Sequence, residues 1–259
     1  MTCDNSGASH RTPGTDLQLL GTWRLSLGGR AIELQPTARR ILTLLALRGP
    51  VTRTALSCTL WPDVDEPAAA GRLRTALWRL SPSGRLVHAR GEVLALDASV
   101  LVDVRRMLSA ARALRNREPA VQPPVELFEQ DLLPDWQEDW LVVERERVRQ
   151  CRLHALESLS DLMRREARYA EAVDVALAAV NAEPLRESSH RAVISAHLAE
   201  GNVAEALRQF ETCRRVLHDQ LGVEPSTALS ALLPSRPRTP GAPRVTPLPL
   251  PRPVSAVVP

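Results

Sequence analysis

Four residues, Ala170-Glu171-Ala172-Val173, return 34 positions later as Ala204-Glu205-Ala206-Leu207. That spacing is the period of tetratricopeptide repeats, in which each unit is a helix pair and neighbouring pairs stack over a shared core. The small residue in the motif lets paired helices approach closely. Pro184 lies 12 residues after Ala172, where such repeats usually turn, whereas the second copy has His218 at that place. In an Ala-rich chain a four-residue echo can also arise by chance, so it counts through its agreement with its surroundings. From Glu138 to Pro225 almost everything reads as helix, with interruptions near 168, 184, 201 and 222. Such a stretch must bury its apolar stripes helix against helix.

The first hundred residues follow another pattern. LQLLG-TW-RLSL-GGR-AIEL (17–34) alternates apolar and polar in short pieces around Gly28-Gly29, which predicts a small antiparallel sheet with a tight glycine turn, structure beginning at Leu17. Pro36-Thr37 then opens a helix with a broad apolar face (Ile41, Leu42, Leu44, Leu45, Leu47), ended by Gly49-Pro50. A short second helix, TRTALSCTLW, has Thr52 as N-cap and stops at Pro62; a third spans 68–80 and ends at Ser81-Pro82. Residues 85–96 read as two strands around an Arg90-Gly91 turn. Sheet, three helices and hairpin, in that order, make a winged helix-turn-helix.

The expected fold class is therefore mainly α: an N-terminal winged helix-turn-helix (α+β) over 17–100, then an all-α tetratricopeptide-like helical domain over 101–233, beginning with an amphipathic helix at 103–116. Residues 1–16 are expected to be disordered, as is the tail 234–259, whose nine prolines bar helix and sheet interiors.

Charge divides the same way. Residues 1–100 carry 12 arginines against 8 acids, residues 101–233 carry 17 against 22, and 234–259 carry 4 against none; lysine is absent. A basic front and an acidic middle suggest different partners for each. Four cysteines at 3, 58, 151 and 213 form no CxxC clamp and no disulfide scaffold, which fits a reducing, cytoplasmic setting. No run approaches the roughly 20 apolar residues of a membrane span, and the polar start lacks a signal-peptide centre.

Four stretches carry a resemblance: LQLLGTWRLSL…AIELQPTARRILTLLAL, TLWPD…AAAGRLRTALWRL, LLPDWQEDWLVVERERVRQCRLHALESL, and EPLRESSHRAVISAHLAEGNVAEALRQFETCRRVLHDQLGVEPS. In order and spacing, residues 17–233 resemble the Streptomyces antibiotic regulatory proteins, small regulators that join an OmpR-type winged helix to a bacterial transcriptional activation domain of tetratricopeptide-like helices. No GxxxxGK[ST] loop is present, so the ATPase module of larger relatives is not expected. The wing hairpin and the SPSG connection before it are short, and the entry to the third helix is Ala-rich rather than rich in capping residues. The resemblance implies promoter double-stranded DNA as ligand, protomers pairing as a homodimer on repeated half-sites, and contact with RNA polymerase.

Residues 68–91 contain five arginines (72, 74, 79, 85 and 90) and no acid, an electropositive patch suited to phosphates. At 100° per residue Leu73, Leu77 and Leu80 form the expected packing face of the third helix, with Arg72, Thr75 and Arg79 opposite and Arg74 and Trp78 on one flank. Arg72 and Arg79 are the candidates for guanine contacts, and Thr75 for a base or phosphate. Arg74 is expected to clamp a phosphate or rest on Trp78. Arg90, at the wing tip, is implied by the resemblance as a minor-groove or phosphate contact, and Arg53 is a weaker phosphate candidate. In a chain without lysine the same arginines could simply be solvated surface. Trp61 and Trp78 are assigned to core or rim packing, and Trp136 and Trp140 to anchoring the connector against the helical domain.

Cys151 and His154, and His190 and His197, share helix faces, but two ligands do not make a metal site, so structural or surface roles are expected. Ser188-Ser189-His190 lacks the surroundings of a nucleophile elbow. No enzyme, cofactor or metal is expected. A sequence-specific DNA-binding regulator, an activator by resemblance, is the leading reading. The alternative is a tetratricopeptide-like interaction module with a weak or vestigial DNA-binding domain.

Overall fold

The computed structural model describes residues 14–81, 86–118 and 122–234. The expectations for residues 1–13, for the SPSG connection and Arg85, and for the tail beyond Pro234 lie outside the described residues.

β1 (Thr15–Gln18) starts two residues before Leu17 and pairs antiparallel with β2 (Arg24–Leu27), Leu17 opposite Leu25. β3 (Arg30–Ala31) folds back on β2 across Gly28 and Gly29, whose φ values of 58° and 82° suit the two-residue turn that matches strand twist. α1 (Pro36–Arg48) carries Pro36 in its first turn, where the missing N–H is no loss, and ends on Gly49 at φ 80°. Every residue from Ile41 to Ala46 is buried, because α1 is covered on several sides at once. Within that core the Trp23 indole N–H donates to the Thr43 hydroxyl at 3.1 Å, so neither polar group is stranded.

β4 (Val51–Thr52) leads into α2 (Arg53–Leu60), whose Ala55 N–H donates to the Thr52 hydroxyl as expected of an N-cap, at 3.2 Å. α3 (Glu66–Leu80) follows, then β5 (Val87–Arg90) and β6 (Val93–Leu96). β6 lies between β4 and β5, so the hairpin is hydrogen-bonded to the entry of α2. β7 (Val100–Val102) runs parallel to β1 and completes a sheet of order β3-β2-β1-β7.

α4 (Asp103–Asn116), α5 (Asp139–Arg165), α6 (Tyr169–Ala182), α7 (Glu187–Glu200) and α8 (Val203–Leu221) form the helical half, with a short α9 (Thr227–Ser230) after it. The breaks fall where the sequence places them. Consecutive members from α5 to α8 pack on one another. Ala172 and Ala206, equivalent positions of the echo, are both fully buried. A methyl at each lets the helices close up, where a larger side chain would hold them apart. His190 is buried with both ring nitrogens used: Nε2 donates to the Pro184 carbonyl and Nδ1 accepts from Gln209, each at 2.8 Å.

One apolar core runs through both halves, from Leu17 and Leu45 through Met107 and Leu141 to Ala172 and Ala196. Polar ties reinforce it. The Asp103 carboxylate, at the start of α4, accepts from the backbone N–H groups of Leu19 (2.9 and 3.0 Å), Leu20 (2.9 Å) and Val104 (2.6 Å). Burial pushes the Asp103 pKa up by more than these N–H groups pull it down. Arg105 donates to the carbonyls of Leu45 (2.9 Å) and Ala46 (2.8 Å), capping the end of α1. Arg40 of α1 binds Glu138 at 2.7 Å, and the Trp140 indole donates to the same carboxylate at 2.9 Å. Trp140 thus braces the connector toward the winged helix as well. These ties leave the front half no freedom to swing on a linker.

Candidate nucleic-acid interface

α3 begins at Glu66, two residues earlier than position 68. Its cap lies just outside the Ala-rich entry: Asp65 accepts from the Ala68 N–H at 3.2 Å. Ala69, Leu73, Ala76 and Leu80 are its buried residues, with Leu77 half-buried. This arc, spaced i, i+4, i+7, i+11, is rotated from the one drawn through Leu73, Leu77 and Leu80, because Ala69 and Ala76 share it. The face opposite the core therefore carries Gly71, Arg74, Thr75 and Trp78, spaced i, i+3, i+4, i+7. Arg72 and Arg79 sit beside that face instead of at its centre.

Arg72, Thr75 and Arg79 are exposed and line one cleft of about 670 Å³ between α3 and the segment leading into α1, with Glu33, Gln35 and Trp61 on its other walls. The Thr75 hydroxyl donates to the Gly71 carbonyl at 3.0 Å, so toward a ligand it can offer only lone pairs and its methyl. Arg74 is exposed and does not rest on Trp78. Among the described residues the cation–π contact is Arg39 over Trp23, at 5.0 Å. Trp61 is half-buried against the core, as expected. Trp78 is not: it is 75% exposed, so its assignment to packing is overturned.

Of the remaining candidates Arg53 lies against α3, whereas Arg90 lines a separate cleft with Gly49, His88, Val93 and Arg105. Arg90 ends β5, exposed, where the chain reverses through Gly91 at φ 59°. Arg53 opens α2, half-buried, and its backbone N–H donates to the Glu92 carbonyl in the wing turn at 2.8 Å. It lines a second, smaller cleft of about 220 Å³ with Leu77 and His88. Sequence reasoning missed Gly71 and the outward position of Trp78. The signal available was the pair Ala69 and Ala76, which a search for large apolar residues passes over.

Among the described residues, none of Arg53, Arg72, Arg74, Arg79 and Arg90 stands in an ion pair. In the helical half Arg147, Arg149, Arg152, Arg164, Arg165, Arg168, Arg186, Arg208 and Arg214 are paired with carboxylates, Arg105 and Arg145 bond backbone carbonyls, and Arg106, Arg112, Arg115, Arg117, Arg191 and Arg215 stand in no ion pair among the described residues. Arg152 is almost fully buried and bound to Asp131 at 2.8 Å. What sets α3 and the wing apart is the lack of acid: no Asp or Glu lies between Pro67 and Gly91.

Cys151 and His154 do not gather a third ligand, and no group of three metal-binding side chains occurs among the described residues. Ser188 and Ser189 both donate to Glu157, at 2.6 and 3.1 Å, and face no histidine partner. No helix among the described residues is long and apolar enough to cross a membrane.

The fold defines a winged helix-turn-helix protein joined rigidly to a tetratricopeptide-like helical domain. Residues 95–234 match the family described as the bacterial transcriptional activator domain, and the chain belongs to that family. Its combination with a winged helix is that of the Streptomyces antibiotic regulatory proteins, regulators of transcription and not a class of enzymes. The chain is 30% identical over 212 residues to the regulatory protein AfsR of Streptomyces coelicolor, an alignment covering 76% of this chain and 21% of that protein. To AfsR of Streptomyces griseus it is 31% identical over 212 residues, covering 76% and 22%. The chain thus spans about a fifth of the length of these relatives. Its fold is similar to that of Mycobacterium tuberculosis EmbR, solved in complex with a low affinity phosphopeptide. The TM-score is 0.67 at 18% identity, covering 85% of this chain and 64% of that one.

Proposed function

We propose that this protein is a sequence-specific DNA-binding transcriptional regulator, an activator that lays α3 in the major groove of promoter DNA and reaches the adjacent backbone or minor groove with the wing. The observation that supports the reading is the acid-free run from Pro67 to Gly91, in which Arg72, Arg74, Arg79 and Arg90 are exposed and in no ion pair among the described residues, with Arg53 behind. Unpaired guanidinium groups on one exposed surface are what a polyanion displaces counterions to reach. Arg72 and Arg79 are assigned to guanine edges or flanking phosphates, Arg74 and Thr75 to the groove, and Arg90 and Arg53 to phosphates. The helical half is assigned contact with RNA polymerase and the pairing of two protomers on repeated half-sites, a role supported by its family. The continuous core suits it, since a rigid joint carries the position of the reading helix into the position of the activating surface. A cytoplasmic location goes with this work.

Fluorescence anisotropy on fragments upstream of the protein's own gene, at two salt concentrations beside a scrambled competitor, tests the proposal. Specific binding that weakens with salt is expected, with Arg72→Ala and Arg79→Ala each costing about 1–3 kcal/mol, roughly 5- to 150-fold. Both variants binding as tightly as wild type would refute the assignment. The second reading, an interaction module, draws on Val203 and Leu207, one turn apart on α8 and 40% and 42% exposed. A protein pull-down succeeding where every promoter fragment fails would favour it.

A further inference from the structure

Two features of α3 have no explanation inside the fold. Gly71 sits in mid-helix, where glycine weakens a helix relative to alanine. Its φ is not positive, and a Cβ built there would meet nothing within 4 Å. Neither backbone conformation nor packing calls for glycine here. Trp78, two turns on along the same stripe, leaves three quarters of its side chain in water and, among the described residues, has no cation over its ring. A large apolar ring on an otherwise polar surface, without a partner, marks a contact still to be made. Between them lie Arg74, exposed and unpaired, and Thr75, whose hydroxyl is turned back onto the Gly71 carbonyl. Every residue from Pro67 to Gly91 is neutral or basic. An exposed apolar ring in an acid-free, arginine-bearing stretch disfavours a basic partner and fits a surface that is anionic at its rim and carries apolar groups on its floor.

We infer that the stripe Gly71, Arg74, Thr75 and Trp78 is the reading face of α3, with Gly71 admitting close approach of the helix backbone to the duplex and Trp78 reading the C5-methyl group of a thymine. The inference rests on the DNA-binding reading above and deepens it. The major-groove floor shows thymine methyls as its apolar feature, and only this pyrimidine carries one. The missing side chain at Gly71 lowers the helix end nearer its N-terminus into the groove, and the indole two turns later meets the floor. Arg74, between them, reaches a guanine or a phosphate.

The test uses the full chain and the promoter fragment that the wild-type protein retains best, prepared also with deoxyuridine in place of thymidine. Wild type is expected to bind the uracil fragment about fivefold more weakly, the worth of one buried methyl group. Trp78→Ala is expected to bind the thymine fragment about tenfold more weakly and to lose the preference for thymine. Gly71→Ala is expected to raise Tm by about 2–4 °C while weakening DNA binding, a combination that a purely structural glycine could not produce. Three results would overturn the inference while leaving DNA binding intact. They are equal affinity of wild type for both fragments, a preference retained by Trp78→Ala, and unchanged affinity of Gly71→Ala. Specific binding to no fragment would overturn both readings. Equal weakening of Trp78→Ala on target and scrambled DNA would place the indole on the sugar-phosphate backbone and so also refute methyl reading.

Discussion

Replacing Glu157 by glutamine should cost about 2–3 kcal/mol at neutral pH and almost nothing in acid. Glu157 lies in the middle of α5, its side chain 16% exposed, and faces the turn that opens α7. One carboxylate oxygen accepts from Arg186 Nε at 2.8 Å, Ser188 Oγ at 2.6 Å and Ser189 Oγ at 3.1 Å. The N-cap residue of α7, Arg186, makes no side-chain cap of its own, so the Glu157 charge also sits at a helix start that favours an anion. Burial pushes the Glu157 pKa up, but the Arg186 guanidinium and the two serine hydroxyls outweigh it and hold the carboxyl below its ordinary range. Glutamine keeps one acceptor and loses the charge. A hydrogen bond to a charged group contributes about 1.5–3 kcal/mol, and some solvent reaches this site, so one to two such bonds is the expected loss. That corresponds to a fall in Tm of about 4–12 °C. Because the folded-state pKa is depressed, the stabilisation is complete above the unfolded value, about 4.3, and disappears as pH falls through the folded value. Urea unfolding of both proteins at pH 7, 5.5, 4.5 and 3.5 should therefore show a gap that is full at pH 7 and narrows as pH falls below about 4.3. A gap under about 1 kcal/mol at pH 7, or one just as wide at pH 3.5, would refute the reasoning.

Two further outcomes follow from the same physics. Cys213 is fully buried, and burial with the nearby Glu187 charge pushes its thiol pKa up to about 11, whereas Cys58 is exposed. Iodoacetamide at pH 8 should therefore label Cys58 and leave Cys213 unmodified until urea is added, as read by peptide mass spectrometry. Arg105→Ala should destabilise the chain by about 2 kcal/mol, since it removes two charge-assisted bonds and leaves the Ala46 carbonyl uncapped while Leu45 keeps only the Gly49 N–H, and Arg105→Lys should recover only part because a point charge cannot fork between two acceptors. Thermal unfolding that ranks lysine equal to arginine would count against the capping role.

The helices were legible residue by residue where their ends are local events. Pro36, Gly49, Thr52 and Gly201 each act through their own backbone or their nearest neighbours, so the breaks around α1, α2 and α7 could be read without knowing what lay across the core. The Gly28-Gly29 turn belongs to the same class. β4 and β7 were illegible for the opposite reason. Val51–Thr52 and Val100–Val102 are too short to show a period, and each is a strand only because β6 or β1 supplies its hydrogen bonds.

The candidate site divides along the same line. That arginines without nearby acids cluster between 68 and 91 is a property of the chain, as is the helix that carries most of them. Which of them face outward is not. The buried arc of α3 is set by how closely α1 and α2 approach it. Ala69 and Ala76 are inside because that approach leaves room for a methyl, and the rotation this imposes puts Arg72 and Arg79 beside a cleft and turns Trp78 into water. The sequence by itself determined the element order, the 34-residue helical repeat and the sign of the charge, because these depend on residues near one another in the chain. Tertiary structure alone decided the rotation of α3 about its axis and the fusion of both halves through β7, Asp103 and Arg105. The fusion rests on contacts between residues some 60 to 85 positions apart, whose distance in space no local pattern encodes.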